Sequence, residues 1–349
     1  FAHFLQYGLR AQEREPAEFD SRFYGTFVHD VLEHVVQQTE REGGFAAVPR
    51  SRVQELAQER MEQNAQTLLE TFPDSGRTGY LLRRTFDEVT QVVDELYDEL
   101  SVSAFRPKFC ELEFSARGAL PGVAFAGERC RGVVEGFVDR VDVWQSGGRP
   151  YVRVVDYKTG KKSFDYTNVL HGRGLQMLLY LFALVRQGGH LLHGEPLPAG
   201  VLYFPARIER VSVRDRLAQA EIEKERRKQL RRSGVLLNSD PVLEAMEPCG
   251  GSPRFLPYAL DKEGRKTGDL ASFAQLAQLE RFVFRTVAAL GDELADGRID
   301  PDPCIRDAKD SACAFCPYSE VCAGHEQPRW LKKITAEEFW QTLERREHG

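Results

Sequence analysis

The sequence predicts an α/β domain, a mixed central sheet flanked by helices, and three observations lead there. Residues 133–160, VVEGFVDRVDVWQSGGRPYVRVVDYKTG, hold two runs rich in Val, Phe and Tyr on either side of Gly147 and Gly148, the pattern of a β-hairpin. Residues 108–115, KFCELEFS, alternate as a strand does, with Phe109, Glu111 and Glu113 on one side and Cys110, Leu112 and Phe114 on the other. A Gly/Pro-rich loop joins them to the hairpin, so three antiparallel strands are expected side by side. Residues 174–187, GLQMLLYLFALVRQ, are apolar nearly all round, the mark of a buried helix, with Gln176 and Tyr180 spaced to share one side of it. The apolar run 199–205 that follows completes a crossover adding a parallel strand, with residues 208–213 as its expected partner.

The hairpin carries the chemistry. With Gly147 and Gly148 as central turn residues, paired positions sum to 295 and Asp139 falls opposite Asp156. Directly paired side chains bring their Cβ atoms to about 4.5 to 5.5 Å, where like charges are destabilising, and a divalent cation would compensate them. Alternation puts Asp156 and Lys158 on one face and Tyr157 on the other. A solvated salt-bridge face of Asp139, Arg140, Asp142 and Lys158 is the plainer account of such a hairpin, since exposed pairs are common. Val152, Val154 and Val155 argue against it, because they make both faces of the second strand apolar and hence buried. Charges there cost several kcal/mol unless paired or metal-bound.

The remaining elements follow in order. Residues 1–15 predict a short helix breaking near Gly8. Residues 22–38 predict a helix with Phe27, Val28, Val31, Leu32, Val35 and Val36 as its buried stripe and Gly25, His29 and Glu33 on a neighbouring side. Two amphipathic helices, 51–72 and 78–101, flank the turn at 73–76. Residues 214–233 predict a charged helix whose cations, Lys224, Arg226, Arg227, Lys228, Arg231 and Arg232, gather at its C-terminal end, read as a solvated face in preference to a phosphate-tracking patch. A loop-rich stretch, 235–268, leads to a long helix over 269–295, and a short helix over 336–345 closes the chain.

At 349 residues, 42% hydrophobic and 29% charged, the composition is that of a soluble globular protein with no run long enough to span a bilayer. The net charge of -6 excludes a globally basic nucleic-acid binder, so any such contact needs a local basic patch. The chain opens on Phe without a signal-peptide pattern, as expected for a piece of a longer protein. Of seven cysteines, four fall at Cys304, Cys313, Cys316 and Cys322, with Cys110, Cys130 and Cys249 scattered. Such crowding points to zinc or an iron-sulfur cluster in a reducing, cytoplasmic setting rather than to disulfides.

Taken together, His29 in GTFVHDVLE, Asp139 in GFVDRVD, Asp156-Tyr157-Lys158 in DYKTG, and Gln176 with Tyr180 in QMLLY resemble the successive motifs of the RecB-type branch of the PD-(D/E)XK nucleases. CAFCPYSEVC resembles the iron-sulfur motif of a subset of these, and FAHFLQYGLRAQER, GLQMLLYLFAL and VLYFPARI resemble AddB-like subunits of bacterial helicase-nucleases. The resemblance implies a restriction-endonuclease-like core with helical insertions and a C-terminal Cys cluster. It divides the chain into an N-terminal helical part at 1–110 carrying the His motif, a nuclease core at 111–213, a helical insertion and long helix at 214–300, and a Cys-cluster segment with its helix at 301–349. It also implies Mg²⁺, or Mn²⁺ in its place, held by His29, Asp139, Asp156 and the Tyr157 carbonyl, with Lys158, Gln176 and Tyr180 completing the catalytic set. Cys313, Cys316 and Cys322 match three ligands of a [4Fe-4S] cluster. The fourth belongs upstream of Phe1 in the family pattern, and Cys304 is the nearest substitute, at a spacing foreign to it. The implied function is exonuclease hydrolysis of single DNA strands during processing of double-strand breaks, beside an AddA-like helicase subunit. An inactive DNA-binding scaffold of the same fold, a stand-alone nuclease and a zinc-ribbon interaction protein are the alternatives.

Overall fold

The computed structural model describes residues 4–10, 21–71, 76–160, 163–208, 219–307, 310–314, 316–319, 321–322 and 328–348. Phe4–Gly8 forms one π-helical turn. Three long helices follow, α1 (Ser21–Arg41), α2 (Arg50–Thr71) and α3 (Gly76–Val102). The α1 stripe anticipated from periodicity is buried in full, Val28, Val31, Leu32 and Val35 having no exposed surface.

The sheet begins with β1 (Arg106–Phe114). The loop after it folds into a small hairpin, β2 (Val123–Ala126) and β3 (Arg131–Val134), where the sequence pattern suggests only a loop and the start of the central hairpin. That central hairpin is β4 (Gly136–Ser146) and β5 (Arg149–Lys158). A short helix α4 (Tyr166–Leu170), the buried helix α5 (Gln176–Gln187) and a single turn α6 (Gly189–Leu192) lead to β6 (Leu197–Pro205), which joins β5 in parallel. Helix α7 (Gln219–Leu230) precedes β7 (Ser233–Leu237), antiparallel to β6. Then come α8 (Asp240–Met246), a second small hairpin of β8 (Tyr258–Leu260) and β9 (Lys266–Gly268), and β10 (Leu270–Ala271), parallel to β7. The long helix α9 (Phe273–Ala295) starts in a capping box between Ser272 and Gln275. The pair β11 (Cys304–Ile305) and β12 (Arg329–Trp330) and helix α10 (Ala336–His348) end the chain.

The six-stranded sheet runs β1-β4-β5-β6-β7-β10 and is mixed, as the hairpin, its antiparallel neighbour and the crossover require. Two expectations change. The described antiparallel partner of β6 is β7, from a stretch read mainly as loop, while Ile208 is irregular and residues 209–213 lie outside the described residues. Arg232, assigned to a solvated helix end, follows α7 and is buried to 2% exposure. On β5, Val152 and Val154 on one side and Arg153 on the other are fully buried, so both faces of the strand are covered.

Candidate metal centre

The site grows from the end of the hairpin. Gly147 and Gly148 adopt φ of 58° and 75°, the left-handed conformation that a two-residue hairpin turn demands of both central positions. The ladder then holds the expected register from Ser146↔Arg149 to Arg140↔Val155 and stops. One position beyond, where Asp139 and Asp156 would pair, β5 is held by β6 alone, with Asp156 opposite Tyr203 and Lys158 opposite Pro205. The carboxylate of Asp139 enters the gap, and its Oδ2 accepts the Tyr157 backbone N–H at 2.7 Å. The aspartates thus sit where one strand exchanges partners.

Helix α1 brings His29 to the same point. Its Nε2 lies 2.9 Å from the Tyr157 carbonyl oxygen and its Nδ1 3.5 Å from Asp139 Oδ2. One ligand atom each from His29, Glu111 and Asp139 lie within 4.8 Å of one another. Glu111 was not anticipated as a ligand. It lies on β1 between Cys110, which pairs with Arg140, and Leu112, which pairs with Val138, and so beside Asp139. Its φ of 49° is a left-handed conformation that costs a non-glycine residue about 1 to 3 kcal/mol and clusters at functional sites. A carboxylate on a strand adjoining the hairpin was a visible signal, but no short turn fixes the β1–β4 register as Gly147-Gly148 fixes that of β4–β5.

The electrostatics ask for a cation. Burial, then the neighbouring Asp156, push the Asp139 carboxyl above its ordinary range, against the pull of His29 and Lys158. Burial, then Asp139 and Glu33, do the same to Glu111. Asp156 stands outside the His29–Glu111–Asp139 trio. Lys158 Nζ is 2.5 Å from its buried Oδ2 but off the direction of a hydrogen bond, and that oxygen has no hydrogen-bond partner. Carboxylates, a backbone carbonyl and one imidazole form an oxygen-rich donor set that suits Mg²⁺ or Mn²⁺ better than a soft metal.

Beside this centre lies a second charged cluster of different character. Arg140 clasps Asp142 through two nitrogens at 2.8 and 3.1 Å and donates to the Tyr157 hydroxyl at 2.9 Å. Arg153 joins Asp142 to Glu99 of α3 by bonds of 2.8 and 2.9 Å, and Arg232 Nε meets the other Glu99 oxygen at 2.9 Å. The side chains of Arg140, Asp142 and Arg153 are wholly buried. Tyr157 therefore offers its backbone to the centre and its hydroxyl to this network.

Gln176 and Tyr180 are placed differently from each other. Gln176 is exposed at the start of α5, whereas Tyr180 is 2% exposed, stacks on Phe114 at 4.8 Å and donates to the Glu135 carbonyl at 3.3 Å. A Cβ at residue 136 would come within 2.0 Å of that hydroxyl, so only Gly136 admits it. Of the cysteines, Cys304 and the Cys313 region are drawn together by an Ala312 N–H bond to the Cys304 carbonyl at 3.0 Å, and Cys313 and Cys316 by a turn bond of 3.2 Å. All four are half-buried free thiols, a donor set that suits an iron-sulfur cluster or zinc.

Comparison with known proteins agrees with this geometry. The chain is 33% identical over 329 residues to the B-type subunit of an ATP-dependent helicase/deoxyribonuclease of Moorella thermoacetica, covering 93% of this chain and 28% of that protein. Proteins of the same name from a Thermoanaerobacter species and from Clostridium perfringens are 29% and 27% identical, over 99% and 100% of this chain and 31% of each relative. The chain thus spans less than a third of the length of these relatives. The family model that matches covers residues 1–323, which include α1, the whole sheet and the four clustered cysteines, and by that match the chain belongs to the PD-(D/E)XK nuclease superfamily.

Proposed function

We propose that this chain is the nuclease domain of a bacterial helicase-nuclease subunit and that it hydrolyses phosphodiester bonds in single DNA strands, as an exonuclease acting on double-strand-break ends. The observation that carries the reading is the convergence of His29, Glu111 and Asp139 beside the Tyr157 carbonyl, with Asp156 and Lys158 next to them on β5. His29, Asp139, Asp156 and the Tyr157 carbonyl would hold Mg²⁺, with Glu111 as a further carboxylate. When bound, that ion polarises a phosphodiester oxygen and lowers the pKa of a coordinated water. Lys158 orients the attacking water and stabilises charge developing on the phosphate. Gln176, at the exposed start of α5, and Tyr180 behind it position the strand.

The names of the relatives support an AddA-like helicase partner and cytoplasmic repair of DNA as the setting. Among the described residues no helix is long and apolar enough to cross a membrane. Cys313, Cys316 and Cys322 are assigned to a [4Fe-4S] cluster, with Cys304 or a cysteine preceding Phe1 as the fourth ligand. Anaerobic metal analysis of the full-length protein is expected to give iron, and stoichiometric zinc without iron would replace this assignment with a zinc site.

Incubation with single-stranded DNA and Mg²⁺ tests the activity. Cleavage by the wild type and its loss in Asp156→Ala are expected. Absence of cleavage by the wild type, or equal cleavage by the variant, would refute the proposal and leave a DNA-binding scaffold of the same fold.

A further inference from the structure

A cavity of about 230 Å³ opens beside Lys158, at the ends of the three strands that follow the metal centre across the sheet. Asp156 on β5 is opposite Tyr203 on β6, and Tyr203 is opposite Ser233 on β7, so the cavity floor continues directly from the catalytic strand. Where parallel strands such as β5 and β6 end, α/β sheets bind their ligands. Burial and then the nearby Asp156 charge push the Tyr203 phenol up to about 12, in keeping with that continuity.

The lining is one-sided in charge. Lys158, Arg207 and Arg231 contribute three cations, and no carboxylate lines the cavity among the described residues. Lys158 is partly answered by Asp156. Arg207 is exposed, lies 4.9 Å from the Tyr24 ring and has no carboxylate partner among the described residues. Arg231 is fixed by donating to the carbonyls of Leu256 and Tyr258, bonds that leave its charge unneutralised. An anion is the complement of such a lining. A second feature goes beyond a bare anion: the Gln229 side-chain oxygen is buried in the wall without a hydrogen-bond partner. A buried unpaired acceptor is costly and is satisfied by a ligand that brings a donor.

We propose that this cavity is a subsite for the nucleotide unit adjoining the cleaved phosphodiester. Its phosphate lies between Lys158, Arg207 and Arg231, and its nucleoside lies against Tyr203 with a base or sugar donor on the Gln229 oxygen. The volume admits one nucleotide rather than a stacked run. This proposal rests on the nuclease reading and assigns Arg231, read from sequence as part of a solvated helix end, to the substrate.

The test is calorimetry on the full-length chain with its partner subunit, in EDTA, with thymidine 5′-monophosphate, thymidine 3′-monophosphate, thymidine and inorganic phosphate as separate probes. One of the two monophosphates is expected to bind at least about tenfold more tightly than thymidine or phosphate. Arg207→Ala should weaken it about tenfold and Arg207→Lys should restore most of the loss, because the charge matters more than the fork. Gln229→Ala should weaken the monophosphate and leave inorganic phosphate unchanged. Affinity indifferent to Arg207→Ala, or inorganic phosphate binding as tightly as either monophosphate, would overturn the subsite. A Mg²⁺ cleavage assay run alongside separates the two failures. Cleavage without Arg207-dependent binding rejects the cavity alone, and Arg207-dependent binding without cleavage rejects the nuclease reading alone.

Discussion

Two charged clusters meet at Tyr157, and they treat their carboxylates in opposite ways. In the closed cluster, Glu99 and Asp142 face Arg140, Arg153 and Arg232 through direct hydrogen bonds, all of them buried. In the open cluster, Glu111, Asp139 and Asp156 face one another, with His29 and Lys158 as partial answers and solvent within reach. Burial acts on both. In the first, the pull of Arg232, Arg153 and Arg140 overcomes it and holds Glu99 down at about 2. In the second, burial and mutual repulsion prevail, and Asp139 and Glu111 are raised. Acids whose repulsion is resolved hold a structure together; acids left facing one another hold it ready for a cation.

The largest expected effect falls on the open cluster. Lys158→Ala should lower single-strand cleavage by at least about 10³-fold while the dissociation constant for DNA moves little, since its role belongs to the transition state. Turnover and filter binding on the same preparation decide this, and a parallel collapse of binding would make Lys158 a docking residue. Next, Glu99→Gln should destabilise the fold by about 3 to 5 kcal/mol in urea titrations, because it strands buried guanidinium groups. The pH sign follows from the depressed pKa of about 2, below the ordinary 4.5. The contribution of Glu99 is present above pH 4.5 and is lost as pH falls toward 2, so the wild type should lose stability in that window and the variant should have a flatter profile.

The smallest effect is the sharpest contrast. Glu111→Gln should weaken Mg²⁺ binding about tenfold yet raise metal-free stability by about 0.5 to 1 kcal/mol, since it removes one of three facing charges. The raised carboxyl of Glu111 favours the fold while protonated, and that benefit is lost as pH rises through its folded pKa, so the gain should be larger at pH 8 than at pH 5. Calorimetry and thermal melts in EDTA measure both. Loss of stability in Glu111→Gln would erase the distinction between the clusters.

What the sequence revealed of this contrast depended on range. The β4–β5 register was legible because a two-residue glycine turn dictates it, and it placed Asp139 next to Asp156. The end of the ladder was not, because it depends on β5 leaving β4 for β6, a partner some forty residues on. Glu111 lay on a recognised strand whose register against β4 passes through the small β2–β3 hairpin and no short turn. Arg140 and Asp142 were set against a solvated surface or a buried strand, and the second was correct. Arg232 stood in a run of cations that composition alone assigns to solvent; its burial follows from Glu99, 133 positions away.

The C-terminal segment reaches the catalytic lysine through α4. Arg306, next after β11, donates to Asp165 at 2.9 Å and to Asn168 at 3.3 Å, and the Ile334 N–H bonds Thr167 at 3.0 Å. Tyr166 packs on Phe339 and Trp340 of α10 at 5.1 and 6.0 Å. The chain leaving Lys158 is therefore pinned at its far end by residues that flank the cysteines. Fixing both ends of a short connection removes its slack. Oxidation of the thiols would return that slack to the lysine, so the redox state of the terminal segment sets how firmly Lys158 is held.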